Sequence, residues 1–554
     1  MCWRAAGLAP EGRAGGGAGP RDDVVLHDFK GSIGCMGVDP RASADLRAPL
    51  RPLPSRKDWH RSRADACAPL PPGHQARDAE GSPLHQAVRL HRAAFVEDAR
   101  RAGHSVPRVV ERELDGFLSC GVLAHGFARV RCSSCGHELL VPFSCKRRGI
   151  CPSCTARRAE DTAAHLVDRV LPKAPYRQWV FTFPIAVRLA LSRRPDLVSA
   201  ALRVCLRALF AWQRRRARSR GVKRPTAGAV TFVQRFGSAL QLNVHFHVLV
   251  PDGVFDDGGH FVADEPPNDD DVLQLLLRCG RRVLKLLRRF FAGDDHRVRE
   301  FDGLFAALDT ASAQPLPTLF PLPTRRAPLS AFVEGFSLHA ATRVMASDRR
   351  GLSRLCAYGA RGAVAWSRLC RLDDGRFAYN MKRSLPDGRS QLVMTGVELL
   401  KKLVPLVPPA YANLTRFHGV FAPTSRLRAL IVPPAAQLAA APAPVADHCE
   451  RQNWPPGLRA ENSAPAPVAD NPAPAAPRPA FVPSGYRLDW AALLKRVFAV
   501  DVMVCSKCEG PMKVLAFLED PKVVKGILMH LGLRAEPLPV ACSRGPPPEL
   551  FEAV

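Results

Sequence analysis

The sequence contains no apolar run approaching the roughly 20 residues that a membrane helix needs. Its opening stretch, MCWRAAGLAPEGRAGGGAGP, has no continuous apolar core of the kind a secretion signal carries. Both absences lead us to expect a cytoplasmic protein with no membrane partner. Acidic residues are few: 51 Asp and Glu stand against 79 Lys and Arg in 554 residues, a formal net charge of +28. The partner such a surface suits best is a polyanion, and nucleic acid is the commonest one. Tyrosine is scarcer still, at five positions: Tyr176, Tyr358, Tyr379, Tyr411 and Tyr486. Cysteine is not scarce. Seventeen cysteines in a reducing compartment read as thiols or metal ligands rather than a disulfide framework.

The length allows two or three domains with cores of their own. Residues 1–81, rich in Gly, Pro, Arg and Asp without periodicity, read as a disordered extension. Helical spacing begins near Pro83 and leads into a helical, cysteine-rich domain over 82–168. A mixed catalytic domain is expected over 169–433. It has strand-like runs (QWVFTFP, GAVTFVQRF, LNVHFHVLV), a long helical run (DVLQLLLRCGRRVLKLLRRFF) and hairpin turns at Asp374-Gly375 and Asp387-Gly388. Residues 434–483, dominated by Ala and Pro, read as a semi-extended linker. A small C-terminal module with a Cys-x-x-Cys pair follows over 484–554.

Cys132-x-x-Cys135 and Cys151-x-x-Cys154 are separated by fifteen residues. Each pair can direct two thiolates at one ion, so the four are expected to form one structural Zn²⁺ site. Cys145 and His137 are further candidates, and Cys145 could instead serve a second ion with Cys120. The late pair Cys505-x-x-Cys508 resembles half of a zinc ribbon, with no second pair after it. Lys146, Arg147, Arg148, Arg157 and Arg158, interleaved with the cysteines, suit contact with phosphates.

In LNVHFHVLV, Leu242, Val244, Phe246, Val248 and Val250 face one way, and Asn243, His245, His247 and Leu249 the other. Same-face neighbours on a strand lie roughly 6.5–7 Å apart, so two imidazoles can lean onto one ion. The preceding strand is expected to pair antiparallel with this one and to bring the Gln234 amide oxygen beside the histidines. Two imidazoles and one oxygen leave open positions for phosphate and water, a set suited to Mg²⁺ or Mn²⁺.

The run VQRFGSALQLNVHFHVLVPDGVF, with CKRRGICPSC and YRQWVFTFP upstream, resembles the rolling-circle transposases of the insertion sequence 91 family. These belong to the HUH (His-hydrophobe-His) class of single-strand endonucleases. The resemblance implies an α+β fold: a mainly antiparallel sheet with helices packed on one face, the histidines held centrally. It implies a bacterial, DNA-associated enzyme that nicks and rejoins single-stranded DNA at transposon ends and in target DNA. In the family the nucleophile is a tyrosine on a helix after the histidine strand, and Tyr358 in RRGLSRLCAYGARG matches that position. Some members carry a second tyrosine one turn earlier, where this chain has Arg354; a second subunit or reuse of Tyr358 would then complete the second strand transfer. The catalytic set is therefore expected to be Tyr358, His245, His247 and Gln234. The basic run Arg214, Arg215, Arg216, Arg218, Lys223 and Arg224 is expected to hold the DNA backbone, as are Lys382 and Arg383, a basic pair resembling one common in the family. The alternative is a zinc-containing DNA-binding regulator without catalysis. A His-x-His metallohydrolase would need further His or Asp ligands close by, and Asp252, Asp256 and Asp257 fall in an apparent loop after the strand.

Overall fold

The computed structural model describes residues 78–313, 327–382, 384–385, 387–432, 490–498 and 501–541. The expected extension, apart from its last four residues, and the expected linker lie outside the described residues, as does Arg383. Among the described residues no helix is long and apolar enough to cross a membrane.

The N-terminal part begins with two helices, α1 (Pro83–Arg101) and α2 (Arg108–Leu118). Pro83 and Pro107 stand at or just before the first turns, where a missing amide donor costs nothing. Two antiparallel strands follow, β1 (Phe127–Cys132) and β2 (Glu138–Pro142), then helix α3 (Pro152–Arg169), capped by Cys151 with Pro152 in its first turn.

The central sheet starts with β3 (Tyr176–Thr182), followed by helices α4 (Ile185–Arg193) and α5 (Pro195–Ser219). Strands β4 (Gly228–Phe236) and β5 (Leu242–Pro251) form a tight antiparallel pair, and a short hairpin, β6 (Gly253–Phe255) and β7 (Phe261–Ala263), extends from it. Helix α6 (Asp269–Phe290) opens on a reciprocal cap: the Asn268 side chain accepts from Asp271 N–H while the Asp271 carboxylate accepts from Asn268 N–H. After helix α7 (Asp295–Ala313), strands β8 (Ser330–Val333), β9 (Phe336–His339) and β10 (Arg343–Val344) return to the sheet. Helix α8 (Arg349–Ala360) crosses it. A meander of β11 (Leu369–Arg371), β12 (Phe377–Asn380) and β13 (Gln391–Met394) then turns at Gly375 and Gly388, both at φ +82°. Helix α9 (Gly396–Leu403) and strand β14 (Thr415–Gly419) complete this part.

The sheet order is β14-β4-β5-β3-β9-β8, with β10 also on β3, and every pairing is antiparallel. The histidine strand is thus interior to the sheet. Its apolar row, Val244, Phe246, Val248 and Val250, packs with Trp179 and Phe181 under α5 and α6 in the largest core cluster. The other face is also covered: Val230, Phe232 and Leu249 pack against Leu166 and Val167 of α3 and Leu352 and Cys356 of α8. Helices on both faces differ from the one-faced arrangement that the family resemblance implied. The reason is local: α3 and α8 each present their own apolar stripe, and the His-bearing row ends in Leu249, which needs cover.

The C-terminal segment is not free-standing. Helix α10 (Trp490–Phe498), strand β15 (Met512–Leu518) and helix α11 (Pro521–His530) pack on the N-terminal part. Strand β15 pairs antiparallel with β1, so the small sheet runs β15-β1-β2. Leu494, Val502 and Met512 share a core with Ala128, Val130 and Val141.

Candidate active site and metal centres

Across the β4–β5 ladder Gln234 lies opposite His245, and Phe232 opposite His247. Residues directly opposite share a face, so the amide and both imidazoles stand on one side of the sheet. All three are buried. The two Nε2 atoms are 3.1 Å apart, and His245 Nδ1 lies 2.9 Å from the carbonyl of Asn243. That carbonyl can only accept, so Nδ1 carries the proton and Nε2 presents a lone pair. Burial, with a smaller contribution from Arg188 and Arg361, lowers His245 to about 4 against the opposing Asn243 bond. Burial also holds His247 well below the usual imidazole range. Both rings are therefore neutral at neutral pH. Two nitrogens on one octahedral ion with bonds of 2.0–2.1 Å sit about 3 Å apart, so the pair fits neighbouring positions of one coordination shell.

Tyr358 comes to this face from α8. Its ring meets His247 edge-on at a centroid distance of 5.9 Å, and it remains 38% exposed. The Gln234 amide nitrogen donates to the carbonyls of Tyr358 at 3.0 Å and Gly359 at 2.9 Å, satisfying the end of the helix. Gly359 permits the close approach: a Cβ there would lie 2.4 Å from the Phe232 ring. Two cations surround the phenol. Arg361 donates to its oxygen at 3.4 Å and lies 4.4 Å over its ring, and Lys382 Nζ is 5.7 Å from the ring centre. The structure thus brings together Tyr358, His245, His247, Gln234 and Lys382. Arg361 escaped the sequence reading; its signal was a cation one helical turn beyond the tyrosine, in CAYGAR.

The basic run is divided. Arg216 is held by Asp264 and Asp271, and stacks on Trp212 at 5.1 Å. That places it in the packing of α5 against α6, with two carboxylates already on its guanidinium. Arg214 is half-buried; Arg215, Arg218, Lys223 and Arg224 are exposed, with no ion pair among the described residues. Asp252 is occupied elsewhere: Arg177 grips its carboxylate at 2.8 and 3.0 Å, and Arg343 adds a contact of 2.7 Å. Asp256 is turned onto His260. Neither acid supplies the extra ligand a metallohydrolase would require.

The cysteines assemble differently from the single site expected. Cys132, Cys135, Cys151 and Cys154 are not brought together; they divide between two groups of four. The inner group is Cys120, Cys145, Cys151 and Cys154, with sulfur separations of 3.5–3.7 Å along its contacts. Thiolates on one tetrahedral zinc, at about 2.3 Å from it, are about 3.8 Å apart, whereas a disulfide brings sulfurs to about 2.05 Å. The set therefore fits Zn²⁺. Cys151 caps α3 and Cys154 sits in its first turn, where the positive end of the helix favours thiolate. Hydrogen bonds from the neighbouring thiols Cys120, Cys145 and Cys151 hold Cys154 far below the ordinary thiol range. The outer group joins Cys132 and Cys135 to Cys505 and Cys508. Spacing alone paired the wrong knuckles, because Cys132 and Cys135 sit at the β1–β2 turn, with β2 between them and the N-terminus of α3. His137 belongs to neither group among the described residues.

Comparison with curated proteins and with solved structures finds no match. Two family models do match. One, described as "Putative transposase", covers residues 228–428, which hold Gln234, both histidines, Tyr358 and Lys382. The other, described as "Transposase zinc-binding domain", covers residues 88–183, which hold the inner cysteine group and the Cys132–Cys135 knuckle. With the zinc-binding domain in front and the transposase domain behind it, the chain belongs to the insertion sequence 91 family of transposases.

Proposed function

We propose that this transposase nicks and rejoins single-stranded DNA at its element's ends, using Tyr358 as the nucleophile in a rolling-circle reaction. The observation that carries this reading is the seating of Tyr358: edge-on to His247, between Arg361 and Lys382, on a helix end tied to the sheet by Gln234. The Tyr358 oxygen attacks the scissile phosphorus and loses its proton; the phosphorus–O3′ bond breaks, and the 3′ oxygen leaves with a proton. One phosphodiester is exchanged for another, so the strand can be rejoined from a 5′-phosphotyrosine without ATP.

His245 and His247 would hold a divalent metal, Mg²⁺ or Mn²⁺, with the Gln234 oxygen as third ligand, since its nitrogen is already committed to the helix end. When bound, such an ion polarises the scissile phosphate and supports charge on the departing oxygen. Arg361 and Lys382 bind the phosphate beside the phenol, and their fixed charges need no reorganisation as the reaction proceeds. The exposed cations Arg215, Arg218, Lys223 and Arg224 and the half-buried Arg214, with Arg383, supply sequence-independent contacts to the strand's backbone.

The test uses labelled single-stranded oligonucleotides carrying the element's ends, with Mg²⁺ or Mn²⁺. Wild type is expected to give a protein-linked 5′ product. Tyr358→Phe and His245→Ala/His247→Ala should lose it by at least about a hundredfold while still binding DNA. Tight binding by all three proteins with no adduct from wild type would favour a non-catalytic regulator.

A further inference from the structure

We propose that Cys132, Cys135, Cys505 and Cys508 form a second zinc centre, one knuckle from each end of the chain, which locks the C-terminal segment onto the N-terminal zinc-binding domain. The four sulfurs all lie within 4.8 Å of one another although 370 residues separate Cys135 from Cys505. The contacts run crosswise, Cys132 to Cys508 at 3.5 Å and Cys135 to Cys505 at 3.6 Å. Both distances suit ligands sharing a tetrahedral ion and are far from the roughly 2.05 Å of a disulfide.

The two knuckles have the same backbone. In the first, Cys132 N–H donates to His137 O at 2.8 Å, and Gly136 N–H donates to Cys132 O at 3.2 Å. In the second, Cys505 N–H donates to Gly510 O, and Glu509 N–H to Cys505 O, both at 2.9 Å. The residue after each Cys-x-x-Cys is left-handed, Gly136 at φ +72° and Glu509 at φ +57°. Amides point at the leading sulfur of each: Ser134 and Cys135 N–H at Cys132, and Lys507 N–H at Cys505. Amide donation to sulfur favours the thiolate that a metal requires. A non-glycine residue held left-handed is costly unless something fixes the turn, and a shared ion would fix it.

The knuckles are also stitched together directly. Ser133 N–H donates to Pro511 O at 3.0 Å, and β1 pairs with β15 up to Cys132 opposite Met512. Gly510 lets the loops meet, since a Cβ there would lie 2.5 Å from Ser134 Oγ. The arrangement is a zinc ribbon split between the two ends of one chain. From the locked segment, Arg496 of α10 reaches both Glu160 of α3 at 3.1 Å and Ser353 of α8 at 2.7 Å. The metal thereby steadies a contact on the helix that carries Tyr358.

Zinc is counted per chain in the purified full-length protein. Two ions are expected in wild type, and one in both Cys505→Ser/Cys508→Ser and Cys132→Ser/Cys135→Ser. An unchanged count in Cys505→Ser/Cys508→Ser would overturn the proposal. A second readout avoids the risk that a variant misfolds. A site-specific protease sequence is inserted within residues 434–483 of the otherwise native chain, and the protein is cut there. The C-terminal fragment should co-elute with the remainder while two ions are bound and separate after chelation. Separation with both ions still bound, or retention after both are removed, would contradict the lock.

Discussion

The two cysteine groups share a ligand set and differ in almost everything else. The inner group draws its ligands from residues 120–154 and is sunk among Leu114, Phe117 and Ile150, with Cys120, Cys151 and Cys154 at most 5% exposed. The outer group spans the chain, and two of its cysteines, Cys135 and Cys508, are exposed. A metal in the inner position ties the loop carrying Cys120 and Cys145 to the N-terminus of α3 inside an apolar cluster, so metal affinity and folding of that part are linked. A metal in the outer position closes a loop hundreds of residues long onto a sheet edge that is already hydrogen-bonded. The closure removes chain entropy, and the strands and the Leu494 and Val502 core add to that hold without sufficing to keep a cut segment in place. Identical chemistry thus does domain-building work in one place and tethering work in the other.

The comparison is broken most directly by single serines. Cys151→Ser, at a fully buried sulfur, should cost on the order of 3–5 kcal/mol and abolish cooperative unfolding of the N-terminal part. Cys508→Ser, at an exposed sulfur, should lower stability by about half that or less and leave the central sheet's transition in place. Chemical denaturation followed by circular dichroism checks both, and equal losses would erase the distinction.

A smaller effect separates metal-held from packing-held parts. His418 on β14 is lowered to about 4, by burial first and then by Arg416, and its Nε2 is buried without a partner among the described residues. An imidazole whose folded value is depressed favours the native state fully above its unfolded value near 6.5. That contribution is lost as pH falls from 6.5 towards 4, because the unfolded chain takes up the proton first. Discounted for partial exposure, His418 should account for on the order of 1–2 kcal/mol across that window. Urea titrations of wild type and His418→Gln from pH 7 to 4.5 should show the variant with the shallower acid dependence. Equal slopes would remove His418 from the account.

The smallest effect tests the equivalence of the two knuckles. Glu509→Gly should stabilise the outer centre by about 0.5–1 kcal/mol and Gly136→Ala should weaken it by a similar amount, since both positions are left-handed. Competition with a chromogenic zinc chelator would resolve the difference, and shifts of the same sign would sever the parallel.

These elements were unequally legible in the sequence. The histidine strand could be read because its alternation, its pairing with the Gln234 strand and the short connection between them are all local. Strands β3 and β4, the capped helix α6 and the turns at Gly375 and Gly388 were legible for the same reason. The cysteine partners were not. Cys132 and Cys505 meet only because β15 adds to β1, and no periodicity announces a strand pairing across so long a separation. The ion pairs of Arg216 were not legible either: its charge is visible in the sequence, whereas Asp264 and Asp271 come near it only once α5 and α6 pack. Arg361 was missed because its role depends on how the end of α8 sits over the sheet.

The measurement that bears most directly on the proposed chemistry is the site of attachment of DNA to protein. After reaction with the element's single-stranded end, the protein is digested with trypsin and the nucleotide-bearing peptide is identified by mass spectrometry. The nucleotide is expected on a phosphotyrosine within residues 355–361, LCAYGAR. A nucleotide on Tyr176, Tyr379, Tyr411 or Tyr486, or on no tyrosine in a reaction that has cleaved its DNA, would contradict it.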